Sequence, residues 1–441
     1  MEKMKARQLL SITLTLFAVF FGAGNMIFPP AMGQQAGENY IQALAGFILT
    51  DAGIALLGMI AVVLVGTEVS DLGELVSRRF AVFLSVCIYL LIGPLFALPR
   101  TGSVSFELAV RPYLSESNVW WVSLLVTTVF FWLTYYLSGN PKKVVNVIGK
   151  YLTPILLICI VLIFLACVFM EKSPNSSVQY GSVGVPQGVY KEIPFFQGMI
   201  EGYYALDGPA GLVFAIIIIN AVRGYQVKTK RNIIKYTLIC GAGAALILSA
   251  VYYMLTYIGA VTRTPFSNGG SLLHAVTSDL LGPAGGIVLG VAVLFACMTT
   301  SIGLTTSFAD YFHELFPNVS YKKITAIVCV FSFVISNIGL DMLVKVSLPV
   351  LMMFYPVTVV LVVLSFFKKW IGSKRMAYVL GMLFAFCVAF VDGMQSAGIS
   401  LGVVTEICNK LPFYDLRLGW IIPAAVGALL GLLPVWKYNR Q

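Results

Sequence analysis

Charge is what this chain has least of. Of its 441 residues only 11% are charged, 19 acidic and 29 basic, against about 25% in an ordinary soluble domain. So sparse a charge cannot solvate a surface of this size, which excludes both a soluble enzyme and a disordered polypeptide. Histidine is nearly missing. His274 and His313 are the only two, and His313-Glu314 lacks the second histidine that a zinc-protease helix needs. The eight cysteines form no C-x-x-C pair and sit mostly in apolar runs, as small buried hydrophobes do. The deficit of acidic residues leaves a net charge of +10, but nucleic-acid binding requires a solvated basic face that this composition does not offer.

What is there is hydrophobic sequence: 59% of the residues, with a mean hydropathy of +0.90. At about 20 apolar residues per span, the chain has room for roughly a dozen transmembrane helices. Apolar stretches fall near residues 9–32, 41–66, 81–110, 120–138, 147–170, 194–222, 233–260, 285–315, 324–340, 343–367, 377–399 and 418–436. The run from Leu9 behind Lys3, Lys5 and Arg7 has the flanks of a signal peptide, but its continuation through Pro29 and Pro30 favours a retained first helix. Arg100, Arg111, Lys172, Lys191, Arg263, Lys345, Lys410 and Arg417 lie on one side of the membrane so defined, and the other 21 of the 29 basic residues lie opposite. The positive-inside rule then places both termini in the cytoplasm, as an even span count requires. The bilayer is therefore the expected environment of a multi-pass protein of the cell membrane. No nucleic-acid partner and no obligatory protein partner is evident.

Two spans carry residues that a continuous helix avoids. The first has Gly22-Ala23-Gly24-Asn25 near its middle, and glycine costs about 1 kcal/mol against alanine in a helix. The sixth runs Glu201-Gly-Tyr203-Tyr204-Ala205-Leu206-Asp207-Gly-Pro209; proline removes a backbone donor, so helix before Asp207 and helix after Pro209 are expected as separate pieces. The interruptions lie five spans apart. Because five is odd, the second half crosses the membrane in the opposite sense to the first, the inverted-repeat arrangement of secondary transporters. This divides the chain into 1–170 (spans 1–5), 171–370 (spans 6–10) and 371–441 (two accessory helices). Half-helix ends expose free N–H groups and carbonyls, which an amino-acid zwitterion can satisfy.

The eighth span adds oxygen ligands. Cys297-Met-Thr299-Thr300-Ser301 places three consecutive hydroxyls at mid-membrane, a donor set suited to a hard cation such as sodium; the alternative is that they bond back to their own helix. Arg100 and Glu107 lie seven residues apart on one face of the third span, a candidate pathway or gating pair. Asp51 and Asp392 also lie at membrane depth, where an ionisable side chain is a functional hypothesis by default, for Asp51 a coupling or gating role. Glu68, Asp71, Glu74, Arg78 and Arg79 read as a solvated loop. An intramembrane enzyme would need a catalytic constellation, and Tyr414-Asp415 has no Gly-x-Gly-Asp partner.

The sequence resembles the bacterial branched-chain amino acid:cation symporters. The resemblance rests on Phe20-Phe-Gly-Ala-Gly-Asn-Met-Ile-Phe-Pro-Pro30, on Ile92-Gly-Pro-Leu-Phe-Ala-Leu-Pro-Arg-Thr101 running on to Ser105-Phe-Glu107, on Gly202-Tyr-Tyr-Ala-Leu-Asp207 and on Cys297-Met-Thr-Thr-Ser-Ile-Gly303. It implies an all-α, twelve-helix protein with a leucine-transporter-type 5+5 inverted repeat, importing leucine, isoleucine and valine with sodium; proton coupling or another small amino acid is the alternative. It carries no cofactor beyond the coupling ion. By the same resemblance Gly22, Ala23, Gly24 and Asn25 would hold the substrate carboxylate through backbone N–H groups, and Tyr204, Ala205, Leu206 and Asp207 would meet the ammonium. Sodium would take the carbonyls of Ala18 and Phe21, a carbonyl near Cys297 and the hydroxyls of Thr300 and Ser301, with the register on this helix open by one residue. Phe96, Tyr203 and Tyr204 are expected as walls of the side-chain pocket. The three substrates should compete, since one methylene discriminates by only about 1–3 kcal/mol.

Overall fold

A computed structural model describes residues 4–139, 152–170, 178–372 and 374–433. The start of the fifth apolar stretch, the end of the twelfth and the basic residues Lys142, Lys143, Lys150 and Lys172 lie outside the described residues. The described part of every expected stretch is mainly helical. In chain order the helices are α1 (Ala6–Phe20), α2 (Ala23–Ala36), α3 (Tyr40–Ile48), α4 (Ile54–Val65), α5 (Val69–Gly73), α6 (Arg78–Leu90), α7 (Ala97–Ala109), α8 (Val119–Ser138) and α9 (Thr153–Phe169). They continue as α10 (Pro194–Ala205), α11 (Asp207–Gly224), α12 (Lys230–Val261), α13 (Gly269–Leu281), α14 (Pro283–Leu315), α15 (Tyr321–Ser336), α16 (Leu340–Phe366), α17 (Arg375–Ser396) and α18 (Ile421–Gly431), with short helices at Lys368–Ile371 and Val403–Asn409 on either side of α17. Among the described residues eight helical segments are long and apolar enough to cross a membrane.

The polarity of these helices is turned inside out. On α8 the hydroxyls of Thr127, Thr134 and Ser138 are buried, whereas Leu125, Val129 and Trp132 are exposed. A helix in water does the reverse, but in hydrocarbon the lipid solvates the apolar face and polar groups must find partners inside. Thr134 meets Ser301 of α14, with the two hydroxyl oxygens 2.9 Å apart.

Small residues let the backbones at the centre approach closely. A Cβ on Gly46 of α3 would lie 1.9 Å from the carbonyl oxygen of Phe195 on α10, and one on Gly198 equally close to that of Ala43. In the same way α2 packs on α12, α4 on α11 and α7 on α14, whereas α17 packs on α16 and on α18. Between α12 and α14 lies α13, outside the apolar stretches that the sequence marks. Its N-cap is Asn268, whose side chain accepts from the Ser271 N–H at 2.9 Å.

Two spans bend where the sequence reading expected plain helix. Leu49–Gly53 and Leu91–Leu95 are single π-turns, and at Gly93 the backbone leaves the helical region altogether. The acidic loop is also more ordered than a solvated stretch. Asp71 Oδ2 accepts from the backbone N–H groups of Thr67 and Glu68, at 2.6 and 2.9 Å, and so caps α5. Burial, reinforced by Glu314 and Asp71, raises the Glu68 carboxyl above the usual range.

Candidate substrate and ion site

Helix α1 stops at Phe20 and α2 starts at Ala23, with Phe21 and Gly22 extended between them. The break needs a glycine: a Cβ on Gly22 would lie 2.8 Å from Thr300 Oγ1. A broken helix in a membrane leaves carbonyls that water cannot reach, and here three in a row are met by side chains. Ala18 O accepts from Thr299 Oγ1 at 2.7 Å, Val19 O from Thr300 Oγ1 at 3.0 Å, and Phe20 O from Asn25 Nδ2 at 2.9 Å.

The sixth span breaks differently. Leu206 takes φ +79°, the left-handed region that an ordinary side chain rarely enters, and separates α10 from α11. The second piece begins at Asp207, two residues before the expected end of the break. Pro209 falls in its first turn, where helical N–H groups have no partner and a missing one costs nothing. The packing of Leu206 with Phe96, Leu91 and Leu351 holds the strained backbone in place.

Asn25 joins the two breaks. Its amide donates both to Phe20 O and, at 2.8 Å, to Asp207 Oδ2, while its own Oδ1 is buried without a partner. Tyr252 of α12 donates to the same Asp207 oxygen at 3.5 Å. Asp51 sits in the first π-turn, fully buried against Tyr252 and Asp207, and neither of its oxygens has a hydrogen-bond partner. On the opposite side Gly24 faces Ala205, 3.2 Å from a Cβ that α2 does not carry. Val19, Phe20, Ala210, Phe214 and Leu304 add apolar walls to the cavity between the breaks, which holds about 20 Å³. A far wider hollow of about 790 Å³ opens where α2 ends and α10 begins, beside Gln34, Gln197, Arg263 and Phe266.

Gly22, Ala23, Gly24, Asn25, Ala205, Leu206 and Asp207 thus surround one cavity, but the expected aromatic walls do not. Tyr203 stacks on Tyr355, Tyr204 leans on Phe28, and Phe96 lies in the cluster behind Leu206. Only two of three consecutive hydroxyls can face one neighbour, because successive helical residues turn by about 100°. Those two are Thr299 and Thr300, so the register is one residue earlier than expected, and Ser301 faces α8. Cys297 is buried in α14, and the Phe21 N–H still bonds Phe17 O at 2.7 Å.

Of the charged candidates, Glu107 pairs with Arg111 at 2.9 Å, away from Arg100. Asp392 meets Arg417 at 3.4 Å. Arg100 reaches the cavity itself: Nη1 donates to Tyr204 O at 2.7 Å and Nη2 to Ser347 Oγ at 3.1 Å. Sequence reasoning missed Tyr252, Ser347, Phe214 and Leu304. No local signal marks them, since each is an ordinary residue of an apolar helix. Thr299 was legible within the hydroxyl run.

Apolar helices turned outward, around two broken helices whose ends face each other, define a helical membrane transporter. Solved structures share this fold over nearly the whole chain. A nucleobase-cation-symport-1 family transporter in a closed conformation aligns with a TM-score of 0.59 at 12% identity, covering 97% of this chain and 92% of that one. A Na⁺-coupled sialic acid symporter aligns with 0.58 at 14% identity, covering 98% and 91%. The chain belongs to the branched-chain amino acid transport protein family, whose model matches residues 5–437, and it is a transport protein, not an enzyme. It is 41% identical over 438 residues to the branched-chain amino acid permease BrnQ of Bacillus subtilis (strain 168), covering 98% of both chains. It is 36% identical over 437 residues to the branched-chain amino acid transport system 2 carrier protein of Pseudomonas aeruginosa, covering 98% and 97%.

Proposed function

We propose that the protein imports leucine, isoleucine and valine across a bacterial cell membrane by sodium symport, with twelve spans, both termini cytoplasmic and two inverted five-helix repeats rocking around the broken helices. The observation that carries this reading is the meeting of the two breaks across one cavity, tied by Asn25 between Phe20 O and Asp207. The substrate carboxylate would lie at the N-terminus of α2, where N–H groups and the helix dipole favour an anion. Its ammonium would lie against the carbonyl end of α10 and Asp207. The apolar side chain would enter between Phe20, Phe214 and Leu304, which must part, since a cavity of about 20 Å³ has room for little more than one water molecule.

Sodium fits the seam between α1 and α14. Two hydroxyl–carbonyl pairs, Thr299 with Ala18 O and Thr300 with Val19 O, line that seam with neutral oxygens, the chemistry that hard cations take. One positive charge entering down 100 mV supplies about 2.3 kcal/mol, enough for roughly fiftyfold accumulation of a zwitterion. The unpartnered Asp51 carboxyl beside Asp207 supports a second reading, proton coupling. Leucine uptake into proteoliposomes separates the two. An inward sodium gradient should drive uptake that isoleucine and valine inhibit; equal uptake on a proton gradient without sodium would transfer the coupling to the carboxyl pair.

A further inference from the structure

Among the described residues, Arg100 is a buried cation that no anion in contact with it explains. It is 2% exposed, and its guanidinium stands 5.8 Å above the ring of Phe28. Neutral groups alone hold it: one N–H goes to Tyr204 O, one to Ser347 Oγ, and Nε is buried with no partner. Guanidinium has five N–H donors in a planar fork, so three remain, and Nη1 lies 3.4 Å from where a Cβ of Gly24 would stand, at the anion-favouring start of α2. Among the described residues the ion pairs are Arg111–Glu107 and Arg417–Asp392. Arg100 and Asp207 therefore line one cavity without touching each other. A lone charge buried at membrane depth is costly and is kept where it has a partner to meet.

We propose that Arg100 is the receptor for the substrate carboxylate. The fixed cation of α7 and the fixed anion of α11 form a template for a zwitterion, with Arg100 taking the carboxylate through its free N–H edge and Asp207 taking the ammonium. The inference rests on the reading of the protein as an amino-acid transporter and names the group that selects amino acids over amines and amides of the same shape. Between transport cycles Tyr204 O, at the negative end of α10, keeps the guanidinium in place. The Gly93 kink upstream in the same span supplies a joint at which α7 can shift when the cavity widens.

The test compares leucine with leucinamide, whose neutral amide replaces the carboxylate, as competitors for labelled leucine on the purified transporter. The wild type should prefer leucine by about a hundredfold, the scale of a charge-assisted fork-to-carboxylate contact. Arg100→Gln should lose leucine affinity by a similar factor and leave leucinamide within about threefold, so that the preference collapses. A purely structural cap on α10 would weaken both ligands together; that result, or unchanged leucine binding, overturns the proposal. Should Arg100→Gln fail to fold, Arg100→Lys decides, because lysine keeps the charge and loses the fork. A preference reduced about tenfold supports the assignment, and a preference equal to that of the wild type overturns it. Failure of the wild type to take up leucine would instead refute the transporter reading itself.

Discussion

The two breaks solve one problem by opposite means. At Phe21 and Gly22 the backbone is extended and unstrained, and the loose carbonyls of α1 are stitched to α14 by threonine hydroxyls. At Leu206 a single residue is forced into the left-handed region, and the helix end beside it is held by a charge, Arg100. The first break is thus a set of neutral oxygens, the second a pair of unpaired charges flanking a strained turn. Neutral oxygens suit an ion that must enter and leave; fixed charges suit a substrate that carries both signs.

Asn25→Leu should have the largest effect, since the Asn25 side chain donates to Phe20 O at one break and to Asp207 at the other. Hydrogen bonds to charged groups contribute about 1.5–3 kcal/mol each, so leucine uptake should fall at least about a hundredfold while the protein stays monodisperse in detergent. Leu206→Ala comes next. If packing sustains the strained turn, removing that side chain from beside Phe96 and Leu351 should cost about 2–4 kcal/mol, read as a lower midpoint of thermal unfolding. An unchanged midpoint would show that the turn needs no such support.

The seam proposed for sodium should give a smaller and more selective effect. A Thr299→Val, Thr300→Val double variant should raise the sodium concentration for half-maximal uptake about tenfold, which is about 1.4 kcal/mol. Ser301→Ala should leave it within about twofold, because Ser301 faces Thr134 on α8. The reverse ranking would restore the later register. Pro209→Ala should do least. In the first turn of α11 the proline removes no helical bond, so stability and uptake should change by less than about 1 kcal/mol; loss of transport would move the break from Leu206 to the proline.

Much of this was legible along the chain. Glycine, asparagine and proline at the middle of apolar runs marked both interrupted spans, because a lipid-facing helix otherwise has no use for them. The sequence places the second break between Asp207 and Pro209, whereas the second piece already starts at Asp207, because proline excludes helix only beyond the first turn. The left-handed turn at Leu206 left no trace in sequence, since leucine gives no local reason for it. Chemistry alone suggests Phe96, Tyr203 and Tyr204 for the pocket, but α10 sets Tyr203 against Tyr355 and Tyr204 against Phe28, and none of the three lines the cavity.

The sequence by itself determined what is local and one-dimensional: an apolar chain cut into spans, the uneven spacing of its basic residues among the loops, and two places where a helix is interrupted. Hydropathy, charge and proline chemistry act on neighbours in sequence, so they can be read there. Only the tertiary structure decided which two of three hydroxyls meet α1, that Asn25 spans to Asp207, and that Arg100 stands in the cavity without an anionic partner. These depend on the rotation of each helix about its axis, which packing against other helices sets and no single span encodes.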